Sequence, residues 1–133
     1  MPLRLPKITN EDLELLNRKS YPETASYILG RLLDGEIAID DLKSICNEIY
    51  DFDIRIEKIT GRNYAVRLDQ GPTASFKDFA AQFMGRAMQY FLNIDNRHLT
   101  ILTATSGDTG AAAIDAVKNK NLPLADIDCP PSF

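Results

Sequence analysis

The chain has 133 residues, 44% apolar and 26% charged, with seven Gly and seven Pro, which fits a small globular domain and excludes collagen-like and low-complexity classes. A net charge of −4 with scattered Lys and Arg gives no electrostatic grip on a phosphate backbone, so nucleic acid is not an expected partner. No apolar run reaches the roughly 18 to 20 residues of a membrane helix, and Met1-Pro2-Leu3-Arg4 lacks a signal peptide's apolar centre, so no membrane is expected and the chain reads as cytoplasmic.

Thr9 with Asp12 three residues later reads as a capping pair, after which Leu13, Leu15 and Leu16 give a short helix its apolar edge. Ser20 and Glu23 form a second pair. Pro22 is tolerated in that first turn, Ala25, Ile28, Leu29 and Leu32 recur at helical spacing, and Gly35 supplies a stop. A third helix is predicted from Asp40 to Tyr50, burying Leu42, Ile45, Cys46 and Ile49. These stripes carry no chemistry and are read as core. From Phe52 the period changes to two: Phe52, Ile54 and Ile56, then Tyr64, Val66 and Leu68, with Gly61-Arg62-Asn63 as turn material, predict a hairpin. After the Gly71-Pro72 break a long helix is predicted from about Ser75 to Leu92. A short strand from Leu99 to Ala104, a glycine-containing turn and a last helix from about Asp108 to Lys118 follow. The pattern ends after Leu122 in Pro123, Pro130 and Pro131. The expected organisation is therefore a helical subdomain over 1–51, the start of an α/β domain over 52–122 and an irregular tail over 123–133. Cys46 and Cys129 lack the spacing of a zinc site, and the single His98 has no partner for a metal, so no metal is expected. His98 is read as flanking a strand.

On a helical wheel Phe76, Phe79, Ala80, Ala81, Phe83, Met84, Ala87, Met88, Tyr90 and Phe91 share one broad arc, and Asp78, Gln82, Arg86 and Gln89 fill the rest. Lys77 breaks the division, falling between Met84 and Met88. An ammonium buried there would lose hydration and face the positive end of the helix, and both effects favour the neutral, nucleophilic amine. Such an amine suits Schiff-base chemistry with a carbonyl cofactor. The simpler alternative is a first-turn lysine whose stem packs on the phenylalanines while its head reaches water, and spacing alone favours it.

Thr103 to Gly110 reads Thr-Ala-Thr-Ser-Gly-Asp-Thr-Gly between an apolar segment and an alanine-rich helix. Backbone amides of such a turn converge on one spot, Gly107 permits close approach, and the hydroxyls of Thr105, Ser106 and Thr109 add donors, a set that suits an anion such as a carboxylate. Asp108 must then face away or accept a hydrogen bond. An ordinary helix start capped by Ser106 or Asp108 is the alternative. The glycines match neither the dinucleotide fingerprint nor the NTP phosphate loop, which disfavours both ligands.

Taken together, Gly71-Pro72-Thr73-Ala74-Ser75-Phe76-Lys77-Asp78-Phe79 and Leu99-Thr100-Ile101-Leu102-Thr103-Ala104-Thr105-Ser106-Gly107-Asp108-Thr109-Gly110-Ala111-Ala112 closely resemble threonine synthase. The resemblance runs from about residue 5 to 122 and excludes the last eleven residues. It implies an α/β fold class: an N-terminal helical subdomain, a hairpin and the first part of a tryptophan-synthase-like domain of fold type II, incomplete. It further implies a lyase that uses pyridoxal 5'-phosphate to convert O-phosphohomoserine, a small amino-acid phosphate, and water to threonine and phosphate. Lys77 then binds the cofactor's aldehyde covalently and moves protons between substrate carbons, and Asp108 sits near the cofactor's ring hydroxyl. Thr105, Ser106, Gly107 and Thr109 bind the substrate carboxylate. Family members continue for several hundred residues, with a glycine-rich loop for the cofactor phosphate and a polar partner for the ring nitrogen, and neither motif is found here. The expectation is an incomplete gene product or fragment, inactive alone, that associates with itself or with the missing C-terminal part. A non-catalytic interaction module is the second reading. A related lyase acting on serine or threonine is the third, and Asp108 argues against it.

Overall fold

The N-terminal third forms helices because its capping residues leave few orphan amides. In the computed structural model, which describes residues 6–105 and 107–118, α1 (Asn10–Leu16) begins at Thr9 and α2 (Tyr21–Leu33) at Ser20, each with a reciprocal capping box to Asp12 and Glu23. Asp34 at φ 48° and Gly35 at φ 87° turn the chain out of α2 through the left-handed region. The third helix, α3 (Ile39–Ile49), buries Leu42, Ile45, Cys46 and Ile49, the stripe its periodicity predicts, and packs on α2. Leu13 and Leu15, expected on an apolar edge, are exposed among the described residues. Burial pushes the Cys46 thiol up to about 11, so it behaves as a small apolar side chain rather than a nucleophile. Cys129 lies outside the described residues.

What joins α1 to α2 is one carboxylate. Asp12 accepts hydrogen bonds from the Thr9 amide at 2.8 Å, the Tyr27 hydroxyl at 2.5 Å and the Arg31 guanidinium at 2.9 Å. The Thr9 amide, then the Tyr27 hydroxyl and Arg31, hold this carboxyl well below the usual carboxylate range. A group whose folded value is depressed stabilises the fold above its unfolded value of about 4, and the contribution is lost as pH falls through the folded value. We therefore expect Asp12→Asn to lower the urea midpoint at pH 7, with the gap to the parent chain narrowing as pH drops below about 4. A constant gap across that range would show that the carboxylate's charge is not what matters.

The chain divides between Asp51 and Phe52 into two compact units, and the second, Phe52–Phe133, carries the candidate chemistry. It opens with an antiparallel hairpin, β1 (Ile56–Thr60) and β2 (Asn63–Val66), in which Ile56 faces Val66 and Lys58 faces Tyr64, with a register irregularity between Lys58 and Thr60. The strands are shorter than the alternation suggests, since Phe52 and Ile54 precede β1 and Leu68 follows β2. Helices α4 (Asp78–Asp95) and α5 (Asp108–Lys118) then pack against each other. Among the described residues no helix is long and apolar enough to cross a membrane.

Three expectations for this unit are corrected. The segment from Leu99 to Ala104 is not a strand: among the described residues the sheet contains only β1 and β2, and strand-forming side chains become a strand only where another strand completes the ladder. His98 therefore flanks no strand. The long helix starts at Asp78, not Ser75, because residues 71–77 form turns, with Ala74 at φ 54°. Finally, the face of α4 that packs inward is the polar one. Asp78, Gln82, Gly85 and Gln89 are buried, while Phe76, Met84 and Phe91 are exposed. The reason lies in α5, whose Ala112, Ala113 and Ala116 present a flat surface that glycine and flat amide side chains fit closely. Gln82 reaches across it to Asp115, Nε2 to Oδ2, at 2.7 Å.

Candidate functional site

Two segments far apart in sequence converge in the second unit. Lys77 is the N-cap residue of α4, and Asp108 is the first residue of α5. Their side chains meet as an ion pair, Nζ to Oδ2, at 3.5 Å. Lys77 is thus neither on the wheel position drawn for it nor sunk in an apolar arc. Its side chain is 29% exposed and its Nζ lies 4.7 Å from the centre of the Phe76 ring, so the stem is shielded and the head is reachable. This is close to the simpler of the two readings of Lys77, with the carboxylate of Asp108 added. At 75% exposure on the Asp108 side, such a pair is worth at most about 1 kcal/mol, too little on its own to hold a flexible four-carbon side chain in one position.

The lysine is held from behind. Gly71 to Ser75 fold into a turn closed by the Ala74 amide on the Gly71 carbonyl at 3.0 Å. Both oxygens of Asp78 reach back to it: Oδ2 accepts the Thr73 amide at 2.9 Å and Oδ1 the Thr73 hydroxyl at 2.6 Å. The Ser75 hydroxyl accepts the Lys77 amide at 3.3 Å, and the Ser75 carbonyl accepts the Asp78 amide at 3.0 Å. A Cβ at position 71 would stand 2.5 Å from Asp78 Oδ2, so glycine is needed there for the carboxylate to approach. The wheel reading placed Asp78 outside the apolar arc and gave it no role. A signal was available in the buried acid's neighbours, since Thr73 and Gly71 five and seven residues earlier supply donors and space, but helical periodicity does not extend beyond the helix start.

At the other segment, the Thr105 hydroxyl oxygen accepts the Gly107 amide at 2.9 Å and the Gly110 amide at 3.3 Å. Thr105 therefore satisfies two amides at this helix start, and both point at a side chain of the same turn. Gly107 has φ 144°, in the region that favours glycine, and it is exposed, as is Thr109. Ser106 lies outside the described residues. Of the residues singled out in sequence, Lys77 and Asp108 are brought into contact, and Thr105 and Gly107 share the turn just before Asp108.

An open cleft of about 330 Å³, bounded by Leu68, Ala74, Ser75, Phe76 and Asp108, meets this pair on its Asp108 side, within the range that small-molecule sites occupy, about 300 to 1,000 Å³. Its one arginine, Arg67, is already paired with Asp69 at 2.5 Å and Glu57 at 3.0 Å, and it holds the Asp69 carboxyl well below the usual range. The cleft wall itself offers the carboxylates of Asp69 and Asp108 and the Ser75 hydroxyl, and Lys77 is linked to it through its pair with Asp108.

No family model matches the chain. It is 34% identical over 123 residues to the threonine synthase of Pseudomonas aeruginosa, a match covering 89% of the chain and 26% of that protein. Against the threonine synthase of Haemophilus influenzae the identity is 39% over 117 residues, covering 86% of the chain and 26% of the relative. Among solved structures, the threonine synthase of Brucella melitensis with bound pyridoxal phosphate superposes with a TM-score of 0.87 at 35% identity, over 97% of the chain and 28% of that structure. That of Escherichia coli gives 0.80 at 27% identity, over 96% and 28%. The chain spans about a quarter of the length of the curated relatives it matches.

Proposed function

The chain is homologous to the N-terminal portion of threonine synthases, and from that premise we propose that it is the lysine-bearing part of a pyridoxal-phosphate-dependent lyase that converts O-phosphohomoserine and water to threonine and phosphate. One observation carries the reading: Lys77 Nζ and Asp108 Oδ2, 31 residues apart in the chain, stand at 3.5 Å beside an open cleft. When bound, pyridoxal phosphate supplies an electron sink for charge that develops on substrate carbon. Lys77 would hold it through Nζ on the aldehyde carbon, the carbonyl oxygen leaving as water. Asp108 pairs with Nζ and would face the ring hydroxyl, the role the resemblance implies. The Lys77 amine, paired with the Asp108 that lines the cleft, would be the group to take a proton from one substrate carbon and return it to another.

Thr105, Ser106, Gly107 and Thr109 would bind the substrate carboxylate. For that, the Thr105 hydroxyl has to release the Gly107 and Gly110 amides it now accepts, so carboxylate binding and a turn of the Thr105 side chain go together. Turnover further needs the portion of the relatives that these residues do not match, about three quarters of their length. We expect phosphate release from O-phosphohomoserine to be undetectable with the 133 residues alone and to appear when a separately expressed C-terminal portion of a threonine synthase is added. Release by the chain alone would overturn that requirement.

A second reading, an interaction module without catalysis, is favoured by the hairpin. Ile56, Tyr64 and Val66 share one face of it and are 66%, 60% and 52% exposed. A two-stranded sheet with so much apolar surface gains by association, with another copy or with the remaining portion of a threonine-synthase-like chain. Concentration-dependent mass in light scattering, with no adduct to pyridoxal phosphate at Lys77, is the result that would favour this reading.

A further inference from the structure

We propose that Asp78 is a positioning residue for Lys77: it fixes the backbone from which the amine is presented, through the turn that precedes it. This rests on the reading of Lys77 as the aldehyde-binding amine. Asp78 is fully buried, and a carboxylate is taken out of water only where its oxygens are used. Both are used on one residue, Thr73, five positions earlier and outside the helix. That is unusual for a first-turn acid, whose ordinary role is to accept amides at its own helix start. Here the helix-start amide of Asp78 itself bonds the Ser75 carbonyl, and the Lys77 amide bonds the Ser75 hydroxyl. Lys77 is therefore bracketed, by Ser75 on one side and by Asp78 on the other, and the bracket is closed by the Asp78 to Thr73 bonds. Ala74 at φ 54° shows that the turn is held in a conformation a non-glycine residue seldom adopts, which requires such a clamp. The exposed pair with Asp108 cannot supply this restraint, whereas a buried two-point clamp can.

The test uses the full chain and reads Lys77 in two ways. In the first, lysines are reductively methylated with ¹³C-formaldehyde, which keeps their charge, and the Lys77 resonance is followed by NMR. Its proximity to the Phe76 ring should separate it from exposed lysines such as Lys58. In the second, the chain is mixed with pyridoxal phosphate, reduced with borohydride and mapped. Asp78→Ala should move the Lys77 resonance to that of the exposed lysines and lower its labelling relative to Lys43 by about tenfold, in line with the steep dependence of reaction on placement, with far-UV circular dichroism unchanged. Asp78→Asn should restore both, because the amide oxygen can accept the Thr73 N–H while its NH₂ donates to the Thr73 hydroxyl. A parent-like resonance and labelling ratio in folded Asp78→Ala would overturn the proposal. Should Asp78→Ala fail to fold, Thr73→Val decides: a shifted Lys77 resonance supports the clamp, an unshifted one overturns it. If the parent chain itself gives no adduct at Lys77, the cofactor reading fails, and the methyl resonance alone still decides whether Asp78 positions the amine.

Discussion

Borohydride reduction after mixing with pyridoxal phosphate is expected to mark Lys77 about tenfold over Lys43 or Lys58, and Lys77→Arg is expected to remove the preferred adduct while leaving the slow labelling of the other two unchanged. Arginine is the informative substitution. It keeps the positive charge, the stem that packs on Phe76 and the ability to pair with Asp108, so the start of α4 should survive. What it removes is an amine that can become neutral and attack an aldehyde, since a guanidinium stays protonated at any working pH. Folding and charge are thereby separated from nucleophilicity. The preference over other lysines follows from placement: Lys43 is paired with Asp40 on an exposed helix face and Lys58 is in an exposed strand, whereas Lys77 is partly shielded and pairs with an Asp108 that lines a cleft. An even distribution of label over all lysines, or one unaffected by Lys77→Arg, would remove the reading of Lys77 as the reactive group.

Much of the N-terminal unit can be read before any coordinates, because its signals are local. Thr9 with Asp12 and Ser20 with Glu23 cap helices within four residues, and the Leu42, Ile45, Cys46, Ile49 stripe needs only a period of 3.6. The second unit is less legible because its outcomes depend on partners. Leu99 to Ala104 has strand-forming side chains but no described strand to pair with, and a ladder is a property of two segments. The polar side of α4 turned inward because the neighbouring helix is lined with alanine, which no wheel drawn for α4 alone can contain. In the candidate site the two motifs announced Lys77 and Asp108 separately, and their meeting is tertiary information. The Asp78 clamp was missed for a related reason: its partners lie before the helix, where periodicity stops being a guide.

Replacing Gly85 should damage the site from its far side. Gly85 lies on the buried face of α4, where a Cβ would come within 2.9 Å of the Ala116 carbonyl oxygen and 3.3 Å of its Cβ. The obstacle is backbone within a helix, so relief requires α5 to move as a body. Two effects oppose each other in Gly85→Ala. Helix propensity gains about 1 kcal/mol, whereas overpacking costs about 1 to 3 kcal/mol, and the balance falls on the side of destabilisation. Gly85→Val tips it further, because valine recovers less of the propensity and adds two methyl groups to the same contact, so a net loss of about 2 kcal/mol or more is expected in urea unfolding. The functional consequence follows from the same geometry. Helix α5 carries Asp108, which pairs with Lys77 and lines the cleft, so a displaced α5 alters the cleft beside the amine and labelling of Lys77 should fall together with stability. Ala111→Val, on the exposed side of α5, is the matched control and should change neither beyond the small cost of a β-branched residue, about 0.7 kcal/mol. If Gly85→Val keeps the parent's urea midpoint, α4 and α5 do not press together as closely as the Gly85 to Ala116 approach requires. If the midpoint falls while labelling holds, the Asp108 side of the cleft does not set the reactivity of Lys77, and the turn behind Lys77 alone does.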